Sequence, residues 1–74
     1  MSTTIKVTKE VLEGIMVVRD SGVLNMFDYQ GVVRLAESLG YRDTADWMLA
    51  NKKEYATGIF MGFEVLKVAE GGLN

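Results

Sequence analysis

Apolar residues recur at three- and four-residue spacing in four separate stretches of the chain, and that periodicity predicts four short helices. The first is expected over 9–20: Thr8 offers a hydroxyl cap, Glu10 puts a negative charge in the first turn, and Val11, Leu12, Ile15, Met16 and Val18 carry the apolar spacing. Gly22, just past Arg19, marks its end. The second is expected over 29–39, with Asp28 as N-cap, Phe27 stapling onto Val32, and Val32, Leu35, Ala36 and Leu39 as one stripe before Gly40 stops it. A third helix begins at Asp43 or Thr44 and runs to about Ala50 through Ala45, Trp47, Met48 and Leu49, and Asn51 breaks it. The fourth spans 52–61, with Tyr55, Ile59 and Phe63 on one face and Phe60 beside them. Gly58 and Gly62 lie one turn apart there, a spacing that admits a close neighbour or marks fraying of the helix end.

The two ends follow a different period. Residues 3–7 and 63–68 alternate β-branched with polar residues, so they read as a two-stranded ribbon, which has to pack on the helices or be exchanged between subunits to be stable. The competing reading continues the fourth helix to Val68. The expected architecture is therefore mainly α: a bundle of three to four short helices in a single domain over 1–74. It comprises an N-terminal extended segment 1–7, a helical core 8–62, and a C-terminal segment with a loose tail over 63–74.

Composition limits how such a domain can be held together. With 74 residues, no cysteine and no histidine, neither a disulfide nor the usual zinc ligands are available, which leaves dense packing or self-association. Yet 49% of the residues are hydrophobic, including five Met, three Phe, three Tyr and one Trp. A chain this small buries only roughly 60% of the surface its unfolded form exposes. Some of that apolar content has to reach the surface, so a homodimer or a docking face is expected beside the plainer alternative of scattered exposed Met. Net charge is −2 with no run of either sign. No targeting pattern appears in 1–7, and the apolar stretch 56–63 is far short of the ~20 residues that cross a bilayer. The chain reads as cytoplasmic, with no membrane partner.

Candidate chemistry is sparse. Ser2, Ser21 and Ser38 have no evident activating base, and the eight glycines match no phosphate loop. Asp43 and Asp46 lie three apart and could hold a hard cation, but their place in a first helical turn accounts for them without one. No catalytic residue and no cofactor is expected. Ala36, four residues before Gly40, fits a helix-turn-helix hairpin, and Arg34, Arg42, Lys52 and Lys53 could face DNA. The recognition helix should then turn an apolar residue inward six positions past that glycine, where this chain has Asp46. In the loop between the first two helices, Gly22, Asn25, Asp28 and Arg19 all have local structural tasks, and Val23, Leu24 and Met26 are either buried or presented to a partner, burial being favoured.

That loop also carries a resemblance. Val11-Leu12-Glu13-Gly14-Ile15, Arg19-Asp20-Ser21-Gly22, Asn25-Met26-Phe27-Asp28 and, after Gly40, Asn51-Lys52-Lys53-Glu54-Tyr55 with Ile59-Phe60 are similar to a family of small phage and prophage proteins catalogued only as a domain of unknown function. The chain departs from that family over 42–47 and after Gly62. The resemblance implies no catalytic residues; by analogy with short phage proteins that redirect host machines, it implies a protein-binding role. The leading expectation is a phage-derived interaction protein, an inhibitor of a host defence system such as a CRISPR nuclease, acting in the host cytoplasm through an apolar face rimmed by carboxylates. Its candidate residues are Met26, Phe27, Tyr41, Asp43, Asp46, Trp47 and Phe63, although for Trp47 a place in the core is the favoured reading. The alternative is a DNA-binding regulator or packaging accessory using the four cations.

Overall fold

The computed structural model describes residues 4–66. Ser2, Thr3, Lys67, Val68 and the expected tail 69–74 lie outside the described residues. The element order is β1 (Ile5–Val7), α1 (Lys9–Ser21), α2 (Tyr29–Ser38), α3 (Arg42–Ala50), α4 (Lys52–Met61) and β2 (Phe63–Val65).

Each helix end has a local cause. Thr8 accepts the Val11 N–H at 3.3 Å to start α1, and the Asp28 carboxylate accepts the Gly31 N–H at 3.1 Å to start α2. At the end of α1 the Gly22 N–H donates to the Arg19 carbonyl. There the Ser21 hydroxyl accepts from the Val23 N–H at 3.2 Å and donates to the Val18 carbonyl at 2.6 Å, carrying the second closing bond through a side chain. At the end of α2, Gly40 adopts φ 90° and two bonds close a Schellman motif: Gly40 N–H to Glu37 O, and Tyr41 N–H to Ala36 O at 2.8 Å. Asn51 separates α3 from α4; its backbone N–H and its side-chain amide both donate to the Trp47 carbonyl.

The third helix starts at Arg42, before Asp43 and Thr44, because the Ala45 N–H already donates to the Tyr41 carbonyl. Thr44 is no cap. It is wholly buried, and its hydroxyl donates to the Val11 carbonyl of α1 at 3.0 Å. Opposite it stands Gly14, where a Cβ would overlap that hydroxyl and come within 2.7 Å of the Thr44 Cβ. The α1–α3 crossing therefore depends on a glycine inside a helix. On α2 the buried stripe is Val32, Val33 and Ala36, while Leu39 stays 47% exposed at the helix end. Phe27, expected to staple onto Val32, is 57% exposed with its ring tilted against Phe60 at 5.3 Å.

The end segments pair as strands, in parallel, with Ile5 opposite Phe63, Lys6 opposite Glu64 and Val7 opposite Val65. Continuation of the fourth helix is ruled out at Gly62, whose φ of 101° and ψ of 159° lie in a region open essentially to glycine alone. A parallel pair needs a long crossover, and the four helices supply it. Two buried clusters result. The larger joins Val18, Val32, Val33, Ala36, Ala45, Met48 and Tyr55; the smaller joins Val7, Val11 and Ile15. Met26, Trp47 and Phe63 pack against both, so the ribbon is anchored by the body it closes. Among the described residues, no helix is long and apolar enough to cross a membrane.

Candidate functional site

The most exposed of the large apolar side chains, Phe60, is on α4. Three consecutive large apolar residues, Ile59-Phe60-Met61, end this ten-residue helix, and one face cannot bury all three. Ile59 turns inward and is half-buried, Met61 is 48% exposed, and Phe60 is 76% exposed.

Ile59 separates two apolar grooves. On one side, Met26 and Phe63 line a groove together with residues of α1 and α4; the Phe63 ring fits against Gly58, where any Cβ would collide with it. The cleft left open is about 320 Å³, walled by Leu12, Ile15 and Met16 of α1 and by Gly58, Ile59 and Gly62, with Arg19 at its edge. The other groove, about 200 Å³, is lined by Phe27, Tyr29, Lys52, Tyr55, Ala56 and Ile59. Its base is rigid. The Tyr55 hydroxyl donates to the Met26 carbonyl at 2.6 Å, and the Tyr29 hydroxyl donates to the Met48 carbonyl at 2.9 Å. The two rings meet edge-on at 6.1 Å, and Lys52 lies 5.1 Å over Tyr29. Burial pushes the Tyr55 phenol up to about 12.

The sequence candidates divide between this face and another. Met26, Phe27 and Phe63 line the apolar grooves. Tyr41 and Asp43 lie in a separate polar groove of about 250 Å³ with Glu10, Glu13 and Arg42. Asp46 is exposed on α3. Trp47 is half-buried and edge-on to Phe63 at 6.2 Å, tying the two clusters together. The residues that line the two grooves include the cations Arg19 and Lys52, and Arg19 pairs with the Asp20 carboxylate at 3.7 Å. Val23 is 67% exposed, whereas Leu24 and Met26 are half-buried against the core. The pattern alone does not single out Phe60 or Met16; the available signal is the run 59–61, too apolar for a two-sided helix.

Of the nucleic-acid candidates, Arg34 and Lys53 are exposed, Arg42 sits among carboxylates, and Lys52 is held over Tyr29. Arg42 is the first residue of α3 and Lys52 the first of α4, so the whole of the nine-residue α3 lies between them in the chain. Among the described residues, no three carboxylates gather closely enough to hold a metal ion, and every buried side-chain polar atom has a hydrogen-bond partner.

Comparison with curated proteins and with solved structures gives no significant match. The model of a family described as a domain of unknown function, DUF5049, matches residues 7–63, a span that takes in all four helices and reaches the first residue of β2. This chain belongs to that family of unknown function, DUF5049.

Proposed function

We propose that the chain is a non-catalytic protein-interaction module that docks another polypeptide on the α4 face. One observation carries this reading: Phe60 stands 76% exposed against Phe27, which lines the second apolar groove. Exposed aromatic and methionine side chains with charge only at the margin are the composition of interface cores. The polar groups inside the fold are already committed, since the Thr44, Tyr29 and Tyr55 hydroxyls each hold a backbone carbonyl.

The finer reading is an inhibitor of a host defence system, a CRISPR nuclease for example, encoded by a phage. Its support is the resemblance to phage and prophage proteins together with small size, and it stands on analogy. The DNA-binding alternative is weakened by Glu10, Glu13 and Asp43 around Arg42, because carboxylates near phosphate oppose the counterion release that drives such binding.

The test pairs wild type with Phe60→Asp, a substitution at a site open enough to leave the helical circular-dichroism spectrum unchanged. Capture of a host protein by wild type, lost in the variant, is the expected result. Equal capture by both would remove α4 from the docking surface. Expression in a defence-active host should raise plasmid or phage survival, and unchanged survival would sink the inhibitor reading.

A further inference from the structure

We infer that the groove lined by Phe27, Tyr29, Lys52, Tyr55, Ala56 and Ile59 receives an apolar side chain from an acidic polypeptide segment, a carboxylate beside that side chain pairing with Lys52. This rests on the interaction reading above and names the chemistry of its partner.

The groove is built for one anchor. Lys52, Tyr55, Ala56 and Ile59 recur at helical spacing, so a single face of α4 forms one wall. Phe27 lines the groove as well and its ring meets Phe60 at 5.3 Å, so the most exposed of the large apolar side chains adjoins the site. The Tyr29 and Tyr55 hydroxyls donate to the Met48 and Met26 carbonyls, which fixes both rings and leaves them to offer mainly apolar surface. A cavity of about 150 Å³ lined by apolar side chains takes up benzene. At about 200 Å³ this groove has room for one large side chain of a partner. A short segment needs no more than that, because a seated anchor, not a broad contact area, carries such binding.

Charge selects the partner. Among the described residues lining the groove, Lys52 alone is charged. Its ammonium lies 5.1 Å from the centre of the Tyr29 ring and has no carboxylate partner among the described residues, where the ion pairs are Lys6 with Glu64 and Arg19 with Asp20. The acidic residues nearest in sequence do not supply one. Asp28 accepts the Gly31 N–H at the start of α2, and Glu54 lies about 200° around α4 from Lys52. A carboxylate flanking the anchor therefore gains an attraction that this chain leaves open, and a basic flank is repelled. Single-stranded nucleic acid also combines rings with negative charge, but it follows a line of cations, and here one lysine stands at a groove whose phenol donors are committed.

Backbone amide shifts of the isotope-labelled full chain, titrated with blocked ten-residue peptides, test the inference. The probe carries a central Leu flanked by Glu in a Gly-Ser background; its counterparts replace the Glu residues with Lys, or the Leu with Ala. The Glu-flanked probe is expected to shift the amides of the groove residues and to bind at least about threefold tighter than the Lys-flanked one, the preference an exposed charge pair supplies. Lys52→Met, which keeps the apolar stem, should erase that preference, and Lys52→Arg should retain it. Ala56→Glu, at an exposed helical position, should abolish binding independently, with the amide spectrum of each variant reporting its fold. Absence of groove shifts at millimolar probe, equal binding of the Glu- and Lys-flanked peptides, undiminished binding of the Ala probe, or equal groove shifts with a ten-nucleotide oligothymidylate overturns the inference. Host-protein capture that is lost in Phe60→Asp but unaffected by Lys52→Met and Ala56→Glu overturns the acidic partner and leaves the interaction module standing.

Discussion

Replacing Gly14 with alanine should destabilise the fold, against the usual sign of that change. In an ordinary helix interior, Gly→Ala stabilises by about 1 kcal/mol, because glycine loses more backbone freedom on folding. At Gly14 the added methyl would overlap the Thr44 hydroxyl, lie 2.7 Å from the Thr44 Cβ and 3.0 Å from the Tyr41 Cβ. Thr44 has no room to retreat, being wholly buried and bonded to the Val11 carbonyl. Relief requires α1 and α3 to separate, and overpacking of a filled core by one carbon costs about 1–3 kcal/mol. The overlap here is with rigid, short-stemmed atoms, so the upper half of that range applies. Less the propensity gain, this leaves a net loss of about 1–2 kcal/mol. Urea unfolding followed by circular dichroism reads it directly. For a slope of about 1 kcal/mol per molar, suited to so short a chain, the midpoint should fall by about 1–2 M. In a Thr44→Ala background part of the clash is gone, and the penalty should shrink. A midpoint that rises in Gly14→Ala would refute the close α1–α3 crossing.

Two further predictions probe other elements. The folded-state value for Tyr55 lies above its ordinary value of 10.0, at about 12, so the folded protein holds this proton more tightly than the unfolded chain. Its contribution is complete below pH 10 and is lost as pH rises to about 12; unfolding measured across that range should show a decline that Tyr55→Phe flattens. At pH 7 the same variant should lose about 1 kcal/mol with the Met26 carbonyl left unpaired, and an unchanged pH profile would deny the phenol its buried place. Gly62→Ala should cost about 1–3 kcal/mol through a backbone conformation closed to alanine and release β2 from β1. Faster amide exchange at Leu66, whose N–H donates to the Val7 carbonyl at 2.7 Å, is the signature, and unaltered exchange there would contradict it.

Much of the helical framework was legible because its determinants are local. Thr8, Asp28, Gly22, Gly40 and Asn51 act on backbone groups within a few residues, so spacing and residue type are enough to place α1, α2 and α4 nearly to their ends. The start of α3 was less accessible, since Thr44 has the chemistry of a cap and its hydroxyl is spent 33 residues away on α1. Of the candidate surface, Met26, Phe27 and Phe63 were readable as apolar residues near chain reversals. Phe60 could not be told from its inward neighbour Ile59, because one helical position rotates a side chain by about 100° and only the packed partner fixes which one points out.

By itself, then, the sequence determined four short capped helices, two β-prone ends, the absence of thiol and imidazole chemistry, and an apolar content too large for so small an interior. The tertiary structure alone decided that the ends pair in parallel, that Gly14 and Thr44 form the α1–α3 crossing, and that Trp47 ties the two clusters together. It also decided that Phe60 and Met61 of α4 stay exposed while Ile59 between the two grooves turns inward. The division has one physical reason: caps and periods act over a few bonds, whereas a buried hydroxyl, a close helix crossing and an open groove exist only once distant segments have been brought together.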